Sequence, residues 1–489
     1  MVMEQVCTKP QLPPQLPPSP TGLPFIGHLH LLGKLPHQSL LKLAQQYGDV
    51  MFLKLGKVNT LVVSSSDSAK EVLNTQDHIF GSRPKTTFSE TIGYGGAGLA
   101  FANGENWKST RKVCMYEVLT TKRVESFHPI RKFEVSLFMN ELLKASREGS
   151  AVDLSSKLSD LTFNVISTMV LGKSYSASAL SEAEKKETMF FKETLDEAAI
   201  MAGFHAGDYL PIPDWMDTQV NKIKQLQRDL DQFIQKEVES HRQRRDPGQA
   251  PRDFVDVLLS NSHISDTSIK ALIVVSDMVG GGTESSAVSV VWALAELIKN
   301  PRLMERAQRE LKEVVGEDRS LEESDIPNLP FLQAIVKETM RLHPPGPLLI
   351  PHESTEECEI GGYTVPARTR TVVNIYAIAR DEDNWEDPLN FDPDRFMGSN
   401  IDLKGRHFEY LPFGSGRRIC PGLMLAMATV QFILGSVLHG FNWRLPSGQT
   451  IDDLDMSESF GLTVPKAVPL KLVPSPRLEP QIYVKSLSS

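Results

Sequence analysis

The segment Phe413-Gly414-Ser415-Gly416-Arg417-Arg418-Ile419-Cys420-Pro421-Gly422 constrains this chain more than any other. It sets one cysteine in a loop rich in glycine and arginine. The helical run Leu423-Met424-Leu425-Ala426-Met427-Ala428 starts just after it. A helix N-terminus and nearby positive charge both favour a thiolate. Glycines let backbone N–H groups turn toward the sulfur, and Phe413 can shield one side from water. A lone cysteine in a loop is ordinarily a small buried hydrophobe. Phe413, Gly416, Arg418, Cys420 and Gly422 together, however, form the spacing FxxGxRxCxG, which is far more specific. An anionic sulfur held this way is what an axial ligand to haem iron requires, because a thiolate pushes electron density onto bound dioxygen and favours O–O cleavage.

The rest of the chain supports one large body. Its 489 residues exceed the usual size of a domain, yet no composition break divides them. The stretch from Arg242 to Arg252 reads as a surface loop between helices. No fixed-period repeat is present, and a 40% hydrophobic share is ample for a large core. We divide the chain into a tail and hinge, residues 1–24, and a single catalytic domain, residues 25–489. A net charge of −9 argues against nucleic acid as a partner. The four cysteines, Cys7, Cys114, Cys358 and Cys420, form no CxxC pair. With one committed to iron, three remain, which suits a reducing compartment better than a disulfide framework. No apolar run reaches the roughly 18 residues that span a bilayer. Met1–Gln11 is polar, and the proline run from Pro13 to Pro24 reads as a stiff, extended spacer.

Periodicity gives a β-hairpin from Met51 to Val63 turning at Gly56-Lys57. A mostly helical stretch follows from Ser66 to His343, stopped by Pro344 and Pro345 and interrupted at Ile92–Gly104 and Gly207–Asp214. Short strands return between His352 and Thr371, notably Glu359–Val365, and again from Leu462 to Leu472. The fold class is mainly α with a minor β part.

Four more motifs precede the cysteine loop. Trp107 and Arg111, four apart, share a helix face and both donate to carboxylates. Ser276–Lys299 is a long apolar helical run carrying Gly280, Gly281, Gly282, Thr283, Glu284, Ser285 and Ser286. Each interior glycine costs about 1 kcal/mol relative to alanine, so three together invite a bulge or kink. They make room either for a ligand groove with a hydroxyl facing it or for close helix packing. Glu338 and Arg341 stand at i and i+3, where their charges can pair. Pro393-Asp394-Arg395-Phe396 comes later.

In this order the five motifs resemble those of the cytochrome P-450 monooxygenases of the plant microsomal type, over nearly the whole chain. The resemblance implies a mainly helical prism with haem b between two long helices. Cys420 would be the iron ligand, with Phe413, Arg418 and Gly422 around it. Trp107, Arg111, Arg418 and His352 would hold the haem propionates. Glu338, Arg341 and Arg395 would form a buried triad serving folding and haem retention. Thr283, Glu284 and Ser285 would serve dioxygen activation. Ser285 replaces the family's usual threonine and Glu284 its commoner aspartate. Serine can still donate a proton but lacks the methyl that stiffens the rotamer, so oxygenation with more uncoupling is expected.

The family also implies electrons from NADPH through an NADPH-cytochrome P-450 reductase. Lys108, Lys112, Lys122, Arg123, Arg131, Lys132, Arg406 and Arg417 form its expected docking face. In microsomal members a membrane anchor precedes the proline hinge, which places the native protein on the cytosolic face of the endoplasmic reticulum; here the spacer is present without it. The expected pocket lining is the Ile92–Phe101 loop, Ser276, Val279, Thr283, Leu348, Leu349, Ile350 and Phe460–Thr463, including Leu462. Apolar with a few hydroxyls, it suits a phenylpropanoid or flavonoid. Leu119–Arg123 and Leu349–Ser354 also resemble plant in-chain fatty-acid hydroxylases. A haem-thiolate isomerase or dehydratase, or a haem-binding sensor, would use the same scaffold without a reductase.

Overall fold

The computed structural model describes residues 15–175, 181–203, 205–213, 216–244, 250–261, 263–274 and 277–485. The tail through Pro14, part of the Arg242–Arg252 loop and Ser276 lie outside these residues.

The long helix Val279–Lys299 is the axis of the molecule. Every residue from Ser286 to Ile298 is buried, so the helix is apolar all round and must be enclosed by others. It packs on Leu154–Leu171 along one side and on Leu423–Gly440 and Pro330–Leu342 along others. Trp292 donates its Nε1–H to the Val464 carbonyl at 3.0 Å and stacks on His343 with centroids 4.0 Å apart. Helix ends follow their local chemistry. Asp153 caps the Leu154 helix by accepting from Ser156 N at 3.1 Å, and Gly172 ends it at φ +67°. The Pro330–Leu342 helix stops before Pro344 and Pro345, as expected.

Leu423–Gly440 corrects one expectation. Its 18 residues average a hydropathy of 1.6, long and apolar enough to cross a bilayer. Two-thirds of it is buried among other helices, so its apolarity serves the core.

The β part is small. Val50–Leu55 and Val58–Val63 form the predicted hairpin, with Val50 opposite Val63. Arg370–Val373 joins Val58–Val63 in parallel and His352–Glu353 closes the sheet. Cys358–Ile360 and Tyr363–Val365 pair as a second hairpin. Lys471–Pro476 lies between Val152–Asp153 and Phe441–Arg444. The expected strand from Leu462 begins only at Lys471; Gly461 to Thr463 are a bend. The described part of the proline run is extended but not free. Gln15 and Pro18 carbonyls accept from Thr364 and Phe52 N–H groups at 2.9 Å, and His28 Nε2 lies 2.9 Å from the Pro20 carbonyl.

Candidate active site

The cysteine loop is shaped by glycine. Gly416 sits at φ +65°, and a Cβ there would collide with the Leu73 carbonyl. Arg417 ties the loop to Asp77, with N at 3.3 Å and Nη2 at 2.8 Å. Cys420 N–H donates to the Phe413 carbonyl at 2.9 Å, and the helix starts three residues later at Leu423. Gly422 lies close enough that its Cβ would come within 3.8 Å of the sulfur. The expected ease of ionisation is corrected here. Burial pushes the Cys420 thiol pKa up, against the smaller opposing effects of the Gly422 N–H and Arg111. A coordinated metal would deprotonate this thiol outright, and Arg111 and the Gly422 N–H favour the same thiolate.

Beside this loop stand three guanidiniums. Arg111 donates through Nη1 and Nη2 to the Ile419 carbonyl at 3.2 Å. Arg418 donates to the carbonyls of Gly81, Leu99 and Ala102 at 2.8, 3.4 and 2.6 Å, and lies over Trp107 at 4.3 Å. Arg83 is buried and donates to the carbonyls of Ala100, Ile350 and Pro351. None of the three forms an ion pair among the described residues. Burial lowers all three pKa values; Arg418 lowers Arg83 further, and Arg418 itself falls to about 10 with Arg111 and Arg417 contributing. Uncompensated buried positive charge is costly. A group with two carboxylates set among them would neutralise it, which is how haem fits this site. Bound there, haem on a cysteine sulfur supplies dioxygen activation.

His352 fits less simply than expected. Its Nδ1–H donates to the Phe80 carbonyl at 2.7 Å. Burial, then Arg83 and Arg418, hold its pKa well below the usual value. Without an anion the ring is neutral and Nε2 is an acceptor; a carboxylate beside it would favour the protonated ring, whose Nε2 donates. Arg83 had no such signal in the sequence, since its neighbours come from segments far along the chain.

Val279–Lys299 is an unbroken α-helix, without the expected bulge. The glycines fall in its first turn, and of their N–H groups that of Gly282 already bonds to the Met278 carbonyl at 3.1 Å. They divide between the two roles considered. A Cβ on Gly282 would press Ile166 at 3.0 Å, so this glycine permits close packing; Gly281 is exposed. Ser285 Oγ–H donates to the Gly281 carbonyl at 2.7 Å and Thr283 Oγ1–H to the Val279 carbonyl at 2.6 Å. Glu284 turns elsewhere. Burial raises its pKa, a hydrogen bond from Thr463 opposes this, and Asp196 adds to it.

One carboxylate organises the neighbouring loop. Asp277 accepts from Leu99 N at 2.5 Å and Ala100 N at 2.7 Å, clasping the Ile92–Phe101 loop to the start of the long helix. Phe101 meets Phe88 edge-on at 5.9 Å. Val279 is wholly buried in the main core, and Leu348 packs with Leu40, Met51 and Leu53 near the hairpin. Val279 shares its cluster with Phe88, Ile92, Leu99 and Phe101, whereas Leu348 packs against a different one. Leu349, at φ +52°, packs with Phe80 and Leu411; Ile350 and Leu462 are half-buried.

The charge triad forms as expected. Arg341 grips Glu338 with two bonds of 2.7 Å, and Arg395 Nε reaches Glu338 Oε1 at 3.2 Å. Arg131 departs from the docking-face expectation. It is 1% exposed and paired with Glu323, so it faces the core.

Comparison with known proteins agrees with this geometry. The family model Cytochrome P-450 matches residues 17–470. A phenylacetaldehyde oxime monooxygenase of Prunus mume is 40% identical, covering 94% of this chain and 89% of its own. A flavonoid 3'-monooxygenase of Crocosmia x crocosmiiflora is 39% identical, covering 96% and 94%. A zebra fish cytochrome P-450 structure with abiraterone superposes at a TM-score of 0.77 with 29% identity, covering 91% of this chain and all of that one. The family carries haem on a cysteine thiolate and draws electrons from a reductase. This chain belongs to the cytochrome P-450 monooxygenase family.

Proposed function

We propose that this monooxygenase hydroxylates a small apolar or phenolic plant metabolite, a phenylpropanoid or flavonoid in preference to a fatty acid. The observation that carries the reading is the aromatic corner of Phe88 and Phe101, 5.9 Å apart, on the loop that Asp277 clasps. Offset and edge-on ring contacts favour a flat aromatic guest over an alkyl chain. Two relatives of this length carry aromatic substrates in their names, which supports the same class here. In this reading Cys420 binds the iron. Arg111, Arg418 and Trp107, with Arg83 added, hold the propionates. Ser285 supplies a proton on the open side, with Thr283 and Glu284 beside it.

The partner is then an NADPH-cytochrome P-450 reductase. Exposed Lys112 and Lys122 form no ion pair among the described residues and suit an acidic donor. Exposed Leu16, Leu23 and Phe25 beside the proline run support contact with a membrane surface, at the cytosolic face of the endoplasmic reticulum. A spectral titration of the holoenzyme against phenolics and fatty acids tests the substrate class: phenolics should shift the iron spin state at lower concentration. Tighter fatty-acid binding would overturn the choice. NADPH-driven turnover with a plant reductase distinguishes hydroxylation from isomerase or dehydratase chemistry, which needs no electrons.

A further inference from the structure

Away from the haem site, where the helix Thr218–Arg244 ends and the helix Phe254–Ser260 begins, His241, Asp253 and Asp256 are all buried. Each brings one donor atom to within 4.8 Å of the other two. His241 Nδ1 lies 2.7 Å from the Glu237 carbonyl. A carbonyl only accepts, so Nδ1 carries a proton. Nε2 faces Asp253 Oδ2 at 3.1 Å. Either a second ring proton or a metal cation can join that nitrogen to the carboxylate. Asp256 supplies a second, independent sign. It is 8% exposed, and its Oδ1 is buried without a hydrogen-bond partner among the described residues. Orphaned buried carboxylate oxygens are rare and call for an explanation.

We propose that His241, Asp253 and Asp256 bind a zinc ion that staples the two helices together. An imidazole nitrogen with two carboxylates suits zinc, with ligand distances of about 2.0–2.2 Å. Two such ligands at a tetrahedral angle stand roughly 3.3 Å apart, near the separation found. A ligating histidine usually donates its other N–H to a carbonyl or carboxylate, as His241 does to Glu237. Asp253 Oδ1 also accepts from Asp256 N at 2.9 Å, which fixes the carboxylate at the helix start. Arg244 Nη2 lies 2.7 Å from Asp253 Oδ2, and its side chain is 36% exposed. It stands in as counter-cation without zinc and can swing into solvent when the ion binds. Zinc here would fix the end of one helix to the start of the other.

The test uses haem-loaded protein without an affinity tag. It is stripped with chelator, given zinc alone and dialysed against metal-free buffer. Parent protein should retain one zinc per haem iron by mass spectrometry. Zinc-edge X-ray absorption should show nitrogen and oxygen neighbours at about 2.0–2.1 Å. Asp256→Asn and His241→Gln should each lose the retained zinc while keeping the haem spectrum. The proposal is overturned if parent retains no zinc, which leaves an imidazolium ion pair with Asp253. It is equally overturned if both variants retain zinc as parent does. If neither variant folds, the absorption spectrum of parent decides: sulfur neighbours, or none from nitrogen, reject the site.

Discussion

Replacing Glu338 by glutamine keeps the shape of the triad and removes its only negative charge. Glu338 and Arg341 are fully buried and Arg395 is 11% exposed. Of the three bonds from the two arginines, those to one oxygen would lose the carboxylate charge, the other would meet an amide NH2 as donor against donor, and both guanidiniums would be left without an anion. Breaking a buried pair from one side costs about 3–5 kcal/mol. The cost falls well within that range here, because Arg341 keeps its bonds to the carbonyls of Ala379, Pro388 and Asn390. We expect Glu338→Gln to destabilise the holoenzyme by about 4 kcal/mol in urea unfolding and to release haem faster. Arg395→Ala should cost less, since Glu338 keeps its two-bond partner and the lost side chain is nearer water. Stability within about 1 kcal/mol of parent for Glu338→Gln, the range of an exposed pair, would refute the reasoning. So would the reverse order of the two variants.

Three further outcomes follow from the site. Cys420→Ser should abolish the thiolate-type spectrum of the reduced carbonyl complex, because serine offers no soft anionic sulfur; an unchanged band would remove Cys420 as ligand. Ser285→Ala should retain haem and substrate but release more peroxide per NADPH consumed, with Ser285→Thr at least as well coupled as parent; equal coupling in the alanine variant would take Ser285 out of the proton path. Asp277 is raised from 3.8 to about 6 by burial. A carboxyl with its folded pKa above its unfolded one holds its proton more tightly when folded, so its contribution is full below pH 3.8 and lost as pH rises to about 6. At 1.36 kcal/mol per unit the loss reaches about 3 kcal/mol. Amide exchange at Leu99 and Ala100, corrected for intrinsic base catalysis, should quicken across that window, and a flat corrected rate would show that Asp277 does not clasp the loop.

What was legible beforehand was local. Glu338 and Arg341 sit one helical turn apart, and the cysteine loop carries its glycines within ten residues of the sulfur, so spacing alone revealed both. Arg83, Asp277 and the Thr463 bond to Glu284 were not legible, because each acquires its role from a distant segment: Arg83 from Ile350 and Arg418, Asp277 from Leu99, Glu284 from the turn near the C-terminus. The packing of Leu348 against Leu40, Met51 and Leu53 was not legible either, since apolar character says nothing about which cluster a side chain joins. Charge balance separates what pattern could not. Where a buried charge is met within the chain, as at Glu338, the residues serve the fold, and their loss is read in stability. Where a buried guanidinium, Arg83, and two half-buried ones, Arg111 and Arg418, find only carbonyl oxygens, the chain by itself is electrostatically incomplete. A dianionic group held among them would stabilise that region, and haem binding and folding would then be linked through the same three side chains.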